Sequence, residues 1–232
     1  MSDGLTPTDQ RPRLEAMARV MLRPIGSPLP LGFLGLGLAS IMLTALQEHW
    51  LAQTEGHAVA IAILAFTVPL EFLAAVFGFL GRDGSGGTGM ALLGASWLAT
   101  AVLLLLTPAG QRNPALGFLL YFAAAALAVP TVAAAFGKVL ASVVFFLAGA
   151  RFALTGVYEY HGGRGWEHAS GWLGLALCVV AVYASVAFEI EDMGHRTVLP
   201  VLRRASGARA MGGSLLDEID NVQREAGVRE QL

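Results

Sequence analysis

The stretch SPLPLGFLGLGLAS, residues 27–40, decides between two folds. It places Gly32, Gly35 and Gly37 shortly after two prolines. A dinucleotide-binding loop needs a strand before its glycines and the order G-x-G-x-x-G, whereas the order here is G-x-x-G-x-G after a proline-rich segment. Small residues in membrane helices allow neighbouring backbones to approach closely. We therefore interpret the stretch as the start of a closely packed membrane helix.

Charged residues are concentrated at the two ends of the chain. Residues 29–188 hold 11 of the 32 charged residues, and the 72 residues of the two ends hold the other 21. The whole chain is 55% hydrophobic and 14% charged, whereas soluble domains carry about 25% charged residues. A water-soluble core does not explain so long a stretch with so few charges, but a lipid bilayer does.

Several functional classes are disfavoured by the same composition. The net charge is −2 and no basic stripe is present, so we expect no nucleic-acid partner. The single cysteine, Cys178, lies in an apolar run and offers neither an intrachain disulfide nor a metal cluster. No nucleophile elbow, zinc motif or phosphate loop occurs. We therefore expect no enzyme activity, no metal and no cofactor.

Six apolar stretches approach or reach the roughly 20 residues that a helix needs to span a bilayer. In the first helix, Ser27 is the predicted N-cap, and Pro28 and Pro30 suit the first turn. The glycine-rich residues 81–89 are predicted to form a flexible turn, and residues 159–168 a loop. The predicted helices are residues 29–46, 59–80, 90–106, 115–136, 139–158 and 171–188.

Basic residues predict the orientation, because they favour the cytoplasmic side. With the N-terminus in the cytoplasm, 12 of the 15 lysines and arginines lie inside. The outer connections then hold only Arg112 and Arg164, and Arg151 lies within a helix. We predict an all-α integral membrane protein of the plasma (inner) membrane, with six transmembrane helices and both termini cytoplasmic.

Three segments resemble a known family, the acetate uptake transporters, also called succinate–acetate permeases. SPLPLGFLGLG resembles the family signature N-P-A-P-L-G-L-x-G-F-G, and GWLGLALCVVAVYASVA followed by HRTVLPV resembles its last helix and G-R-T-V-L-P tail. GTGMALLGASWLA lies where the family has a third helix containing S-Y-G-x-F-W. The resemblance covers residues 27–201 and implies a homohexamer whose protomers each hold a path for small monocarboxylates or succinate. Its signature positions are Ser27, Pro28, Pro30, Leu31, Gly32, Gly35 and Gly37.

Three leucines stand at the positions that line the narrowest part of the family's path. The resemblance places Leu36 at a phenylalanine position, Leu93 at a tyrosine position and Leu147 at a leucine position. Hydrophobic constrictions gate by excluding water. The resemblance therefore implies that these leucines form a constriction, whereas the sequence alone shows three ordinary leucines.

Two charges lie deep in the apolar segments. Glu71 replaces a family glutamine and Arg151 replaces an apolar residue; a charge at the bilayer centre costs at least about 2.5–3.5 kcal/mol. In one interpretation Arg151 is a pore-lining cation for a carboxylate and Glu71 a proton acceptor. In the other, the two form a structural bridge, or Arg151 extends its charge towards the membrane surface. Residue counts place their depths about 7 Å apart, so we predict a coupled pair that faces the interior.

Histidines and glutamates cluster in the predicted outer loops. They suit metal binding or a response to external pH, although such residues are more often simply solvated. The candidates are Glu159, His161, Glu167 and His168 in the last outer loop and His49 and His57 beside the first.

The chain is expected to have three regions. Residues 1–26 form a cytoplasmic segment with an interfacial helix, whose apolar face carries Leu14, Met17, Val20 and Met21. Residues 27–201 form the six-helix transporter, and residues 202–232 form a cytoplasmic tail. The tail holds a second amphipathic pattern near its end.

The expected function is proton-linked transport of small mono- or dicarboxylates such as acetate or succinate, by a transporter or channel. The expected partners are the carboxylate substrate, the lipid bilayer and further copies of the chain. Two alternatives stay open. A urea- or amide-type channel would need neither Glu71 nor Arg151, and a non-transporting membrane sensor or scaffold would function through its tails.

Overall fold

The computed structural model describes residues 26–194 and 197–204 of the chain. The predicted N-terminal interfacial helix and most of the predicted cytoplasmic tail lie outside the described residues. Within them the fold is helical, and the only pairing of extended backbone is an isolated bridge between Lys138 and Arg203.

Six helices in the described part of the chain are long and apolar enough to cross a membrane, which confirms the six predicted segments. They are α1 (Leu29–Gln47), α2 (Gln53–Leu80), α3 (Gly84–Leu106), α4 (Pro114–Ala135), α5 (Val139–His161) and α6 (Arg164–Gly194).

The six helices form a closed ring in chain order. Each helix packs against its neighbours in the sequence, and α6 packs back against α1. The described chain ends and the connections 81–83 and 136–138 lie on one face, here called the terminal face. The connections 48–52, 107–113 and 162–163 lie on the opposite face. The inner sides of the helices therefore enclose a central region that runs from face to face.

Helix α3 begins earlier than the sequence predicts. The range 84–89, predicted as a flexible turn, is helical. Asp83 is its N-cap and accepts a hydrogen bond from the Gly86 N–H at 3.0 Å. A Cβ at Gly78 would lie 2.9 Å from the Cα of Gly87, so the backbones of α2 and α3 touch here. The turn prediction was wrong because these glycines serve helix packing rather than chain flexibility.

The last connection is also shorter than predicted. Residues 159–168 were predicted to form a loop, but α5 continues to His161 and α6 begins at Arg164. Gly162 and Gly163 alone connect them, with φ angles of 76° and 102°, a backbone conformation that glycine adopts without strain. The candidate residues of the predicted loop therefore lie on helix ends.

The start of α1 differs from the prediction in its cap. Ser27 is not the N-cap; that position is held by Pro28, without a side-chain hydrogen bond. The backbone N–H of Ser27 instead donates to the Asp192 carboxylate at 3.2 Å, which joins the start of α1 to the end of α6. Pro30 lies in the first turn, as predicted.

Helix α2 is irregular in its middle. A π-helical turn, Ile63–Thr67, separates Gly56–Ala62 from Val68–Leu80. Pro69 has no N–H to donate, which disrupts the regular hydrogen-bond ladder at this point. Thr67 donates its hydroxyl hydrogen to the Gly35 carbonyl at 2.9 Å. A Cβ at Gly35 would lie 3.3 Å from the Thr67 carbonyl oxygen, so α1 and α2 pack closely at this glycine.

An ion pair joins two connections on the terminal face. Lys138, between α4 and α5, bonds to Asp83, between α2 and α3. Burial raises the pKa of the Asp83 carboxyl, but the Lys138 charge and the hydrogen bonds from Lys138, Gly86 and Ser85 outweigh it and hold the pKa below its usual value. The ion pair therefore stabilises the arrangement of four helices.

The substitution Asp83→Asn should lower the free energy of unfolding by about 1–2 kcal/mol at neutral pH, because asparagine keeps the cap but loses the charge. A carboxyl group with a lower pKa in the folded protein stabilises the fold at pH values above its unfolded pKa of about 3.9. This stabilisation is lost as the pH falls through the pKa of the folded protein. The midpoint temperature of unfolding in detergent should therefore differ between variant and wild type at pH 7, and should differ much less near pH 3. The exposed Glu189→Gln is the matched control. Equal stability at pH 7 would contradict the assignment.

Candidate functional site

Arg151, on α5, is completely buried in the interior of the ring. Its Nη2 donates to the Thr44 hydroxyl of α1 at 3.4 Å, and its Cζ lies 5.6 Å from the centroid of the Trp97 ring of α3. Its Nε and Nη1 have no hydrogen-bond partner among the described residues. A guanidinium in this state presents planar donors that match a carboxylate.

Gly174 of α6 makes room for this guanidinium. A Cβ at this position would lie 2.6 Å from both Cζ and Nε of Arg151. Thr44 donates its own hydroxyl hydrogen to the Gly171 carbonyl at 3.1 Å, so its oxygen is free to accept from Arg151. Three helices besides α5 thus shape the arginine site. The sequence predicted Arg151 as a candidate site residue, but it did not predict the residues that contact it.

Glu71, on α2, is also completely buried. Its Cγ lies 3.5 Å from a Cβ built at Gly35, and its Cβ lies 3.4 Å from one built at Gly94. The side chain therefore fills the space that these glycines of α1 and α3 leave open. Both carboxyl oxygens lack a hydrogen-bond partner within the described structure, and neither α1 nor α3 contains an ionisable residue.

Glu71 and Arg151 both face the interior, as predicted, but the predicted pair between them is wrong. The free oxygens of Glu71 exclude an ion pair, and Arg151 bonds to Thr44 instead. Gly35 and Thr44, which contact the two charges, are nine residues apart on α1, or about 13 Å. The estimate of 7 Å came from residue counts along α2 and α5 alone, and it carried no information about the helix faces.

Further unsatisfied polar atoms continue from Glu71 towards the opposite face. Ser40 Oγ, Trp97 Nε1 and Glu48 Oε1 are buried without a partner among the described residues. Residues four positions apart lie on one side of a helix, which aligns Ser40, Thr44 and Glu48. Since buried polar groups are nearly always hydrogen-bonded, this region is suited to water or a polar solute. We call it the polar column: Glu71, Ser40, Trp97, Arg151, Thr44 and Glu48.

Towards the terminal face the interior is apolar. The Phe33 ring lies 6.0 Å from that of Phe145 and 6.1 Å from that of Phe188, joining α1, α5 and α6. Met90 of α3 packs against Gly32 of α1. Buried polar side chains at this level, such as Ser185, bond within the protein. We call this layer the apolar plug: Phe33, Leu36, Met90, Leu93, Phe145 and Phe188, each at most 2% exposed.

The three leucines of the predicted constriction differ in burial. Leu36 and Leu93 are completely buried, whereas Leu147 is partly buried and packs against the core. Leu36 and Leu93 follow and precede the glycines that contact Glu71. They therefore lie at the boundary between the polar column and the apolar plug. Leu147 lies one helical turn from Arg151 on the same side of α5.

Ionisable pairs surround the opposite-face end of the column. His168 Nδ1 lies 3.0 Å from Glu48 Oε2, and His49 Nε2 lies 3.8 Å from Glu167 Oε1. The Tyr158 hydroxyl donates to the same Glu167 oxygen at 3.1 Å. These contacts connect the end of α1 to the ends of α5 and α6. We call this cluster the polar rim: Glu48, His49, Tyr158, Glu167 and His168.

The metal interpretation of these residues is not supported by their positions. Glu159 accepts a hydrogen bond from the Asn113 N–H at 2.7 Å, and the His161 ring packs edge-on against Tyr160. His57 lies 3.5 Å from the Thr107 carbonyl oxygen. Within residues 26–194 and 197–204, no three His, Cys, Asp or Glu side chains are grouped as metal ligands would be.

Comparison with known proteins places this fold in context. No protein-family model matches the chain. The succinate-acetate/proton symporter SatP of Escherichia coli K12 is 25% identical over 181 residues, covering 76% of this chain and 95% of that protein. The symporter of the same name from Shigella flexneri matches to the same extent. The solved structure of the bacterial acetate channel SatP matches with a TM-score of 0.67 and 25% identity, covering 76% of this chain and 99% of that one.

The chain is thus similar in both sequence and fold to SatP, which supports the resemblance to the acetate uptake transporters.

These similarities confirm the resemblance predicted from the motifs, and together with the six apolar helices they support a multi-pass membrane protein. The similar proteins are named a symporter and a channel. The two buried charges of this chain stand at positions where the resemblance implies uncharged residues.

Proposed function

We propose that this protein carries small carboxylates, such as acetate or succinate, across the membrane through the interior of its helix ring. The observation that supports this most is the buried Arg151, whose Nε and Nη1 are free. A buried charge without a partner is costly. Such a residue is best explained by a ligand of opposite charge.

The surroundings of Arg151 suit a carboxylate in particular. Two parallel N–H groups of a guanidinium match the two oxygens of a carboxylate. Trp97 holds the guanidinium by a cation–π contact. Thr44 accepts from one of the two N–H groups of Nη2, so one edge of the guanidinium keeps two parallel N–H groups for a carboxylate. A neutral solute such as urea needs no buried cation, so the arginine favours a carboxylate transporter over an amide channel.

The route runs first through the polar column and then through the apolar plug. A carboxylate enters from the polar rim, passes along the polar column to Arg151, and reaches the boundary formed by Leu36 and Leu93. These two leucines, with Leu147 below the arginine, form the constriction. The relatives named as proton symporters support coupling to a proton.

Uptake of labelled acetate into proteoliposomes tests this function. Protein-free vesicles measure passive entry of the acid, and excess unlabelled succinate or urea competes. We expect protein-dependent uptake of acetate that succinate reduces and urea does not. Uptake of urea without acetate would favour the amide channel, and the absence of protein-dependent uptake of acetate would contradict the proposal.

The terminal face is proposed to be cytoplasmic, in the plasma (inner) membrane, because 12 of the 15 basic residues then lie inside. Cysteines at Gly84 and Gly165 report on the two faces, since a Cβ at either position meets nothing within 4 Å. In a Cys178→Ala background, an impermeant maleimide should label Gly165→Cys in intact cells, and Gly84→Cys only after lysis. The reverse pattern would overturn the orientation.

The proposed assembly is a homohexamer, as the family resemblance implies. Apolar side chains on α4 and directly after it, such as Phe118, Phe122 and Phe136, are 63–74% exposed in the single chain, so lipid or other copies must cover them. Mass measurement in mild detergent should give six copies per particle. A monomer as the only species would contradict this assembly.

A further inference from the structure

We infer that the acid crosses the apolar plug in its neutral form, and that Glu71 is the residue that gives the carboxylate its proton. This inference rests on the proposed carboxylate transport and deepens it. It follows from the position of Glu71 between two layers of different polarity.

The polar column and the apolar plug treat an anion differently. The column offers Arg151 and several unsatisfied polar atoms, whereas the plug offers phenylalanine rings, leucines and Met90. An anion transferred into surroundings without hydrogen-bond donors loses its hydration with no replacement, and this costs far more than transfer of a neutral acid. The plug therefore selects the neutral acid.

Glu71 lies where the change must occur. It contacts Gly35 and Gly94, which adjoin Leu36 and Leu93 of the plug, and the unsatisfied atoms of the column begin at its own carboxyl. No ionisable group of α1 or α3 faces it, because neither helix contains one. On α2 itself the only other ionisable residues are Glu55 and His57, near the opposite face. Burying a carboxyl group without a counter-charge is least costly when it keeps its proton.

The proton transfer balances. Protonated Glu71 donates its proton to the substrate carboxylate, which leaves Glu71 as a carboxylate and the substrate as a neutral acid. The acid crosses the plug and releases the proton into the solution at the terminal face. Glu71 regains a proton from the solution at the opposite face, relayed by water in the polar column. Once the substrate lies beside Glu71, both carboxyl groups share the same buried surroundings; since carboxylic acids have similar intrinsic acidities, the transfer between them then needs little driving force. One proton crosses with each carboxylate, without net charge.

The charge carried across the membrane distinguishes this route from passage of the anion. Proteoliposomes take up labelled acetate at a fixed pH while valinomycin and a potassium gradient set an inside-positive potential of about 60 mV. That potential favours entry of a monovalent anion tenfold. For the wild type we expect the initial protein-dependent rate to change less than twofold with the potential and to rise as the outside becomes more acidic.

Substitutions at Glu71 test the proton donor. Glu71→Gln keeps the shape and loses the proton, so uptake should fall at least tenfold. The stabilisation of the detergent-solubilised protein by acetate should persist, because the arginine site is intact. Glu71→Asp keeps an acid and should retain measurable uptake, and the exposed Glu189→Gln should match wild type. A role of Glu71 in folding alone would reduce binding and uptake together.

The outcomes separate the inference from the proposed function. A tenfold response of wild-type uptake to the potential, or wild-type rates in Glu71→Gln, would overturn the neutral-acid route while acetate transport stands. If Glu71→Gln does not fold, the response of wild-type uptake to the potential and the uptake by Glu71→Asp still test the neutral-acid route. No protein-dependent uptake by the wild type would overturn both.

Discussion

Replacement of Arg151 by methionine is expected to reduce acetate uptake about 10- to 100-fold, because a charge-assisted hydrogen bond contributes about 1.5–3 kcal/mol. Methionine fills a similar volume but offers no donor. The same substitution should leave thermal stability unchanged or raise it, since it removes a buried charge that has no acidic partner. Arg151→Lys keeps the charge and loses the planar fork, so its uptake should be intermediate.

Arg164→Met is the matched control for this prediction. Arg164 begins α6 at the opposite face and is exposed. Its removal should change uptake by less than twofold, because exposed charges are screened by solvent. If Arg151→Met lost stability and retained uptake per folded molecule, the arginine would be a structural residue and not the carboxylate site.

The second large effect is expected from one methyl group on α6. Gly174→Ala places a Cβ 2.6 Å from Arg151 Cζ, and also against the Thr44 hydroxyl. The guanidinium is the end of a flexible side chain, so it moves away while the fold is kept. We expect the acetate concentration for half-maximal uptake to rise about tenfold, as loss of one well-placed contact predicts. Measurement of uptake rate against acetate concentration checks this.

Gly165→Ala provides the comparison for Gly174→Ala. It lies on the same helix, and a Cβ there meets nothing within 4 Å. Alanine is the better helix former by about 1 kcal/mol, so both variants share the gain in helix propensity. Only Gly174→Ala should alter the dependence on acetate concentration. Equal kinetics for both variants would show that the room around Arg151 has no role in transport.

Hydropathy was sufficient to predict the six helices, because a bilayer demands long apolar stretches whatever their packing. The helix ends were harder to predict. Residues 84–89 and Arg164–Gly165 contain glycines that usually interrupt helices in water, but here some of these glycines allow α2 and α3 to touch. Single-sequence patterns do not reveal which of the two roles a glycine has. The two-residue connection at 162–163 could not be predicted for the same reason.

The candidate site was only partly predictable. Glu71 and Arg151 stood out as charges in apolar segments, and both prove to be buried. Their partners did not stand out, because contacts across a ring depend on the rotation of each helix about its axis. A signal existed along α1 and directly after it, where Ser40, Thr44 and Glu48 recur every four residues on one side. Trp97 offered no such pattern, since a tryptophan in an apolar helix is usually a packing residue.

The π-helical turn Ile63–Thr67 sets the rotational phase of everything that follows it in α2. An α-helix advances about 100° per residue, and a π-helical turn accommodates one residue more than an α-helical turn. If the same residues formed a regular α-helix, Glu71 would point about 100° away from Gly35 and Gly94, towards α2's lipid-facing side. An acidic residue at this position is therefore compatible with the membrane only while the irregular turn is kept. Straightening the turn at constant length would move the carboxyl group from the protein interior towards hydrocarbon, whereas deletion of one residue from the turn would keep Glu71 in phase.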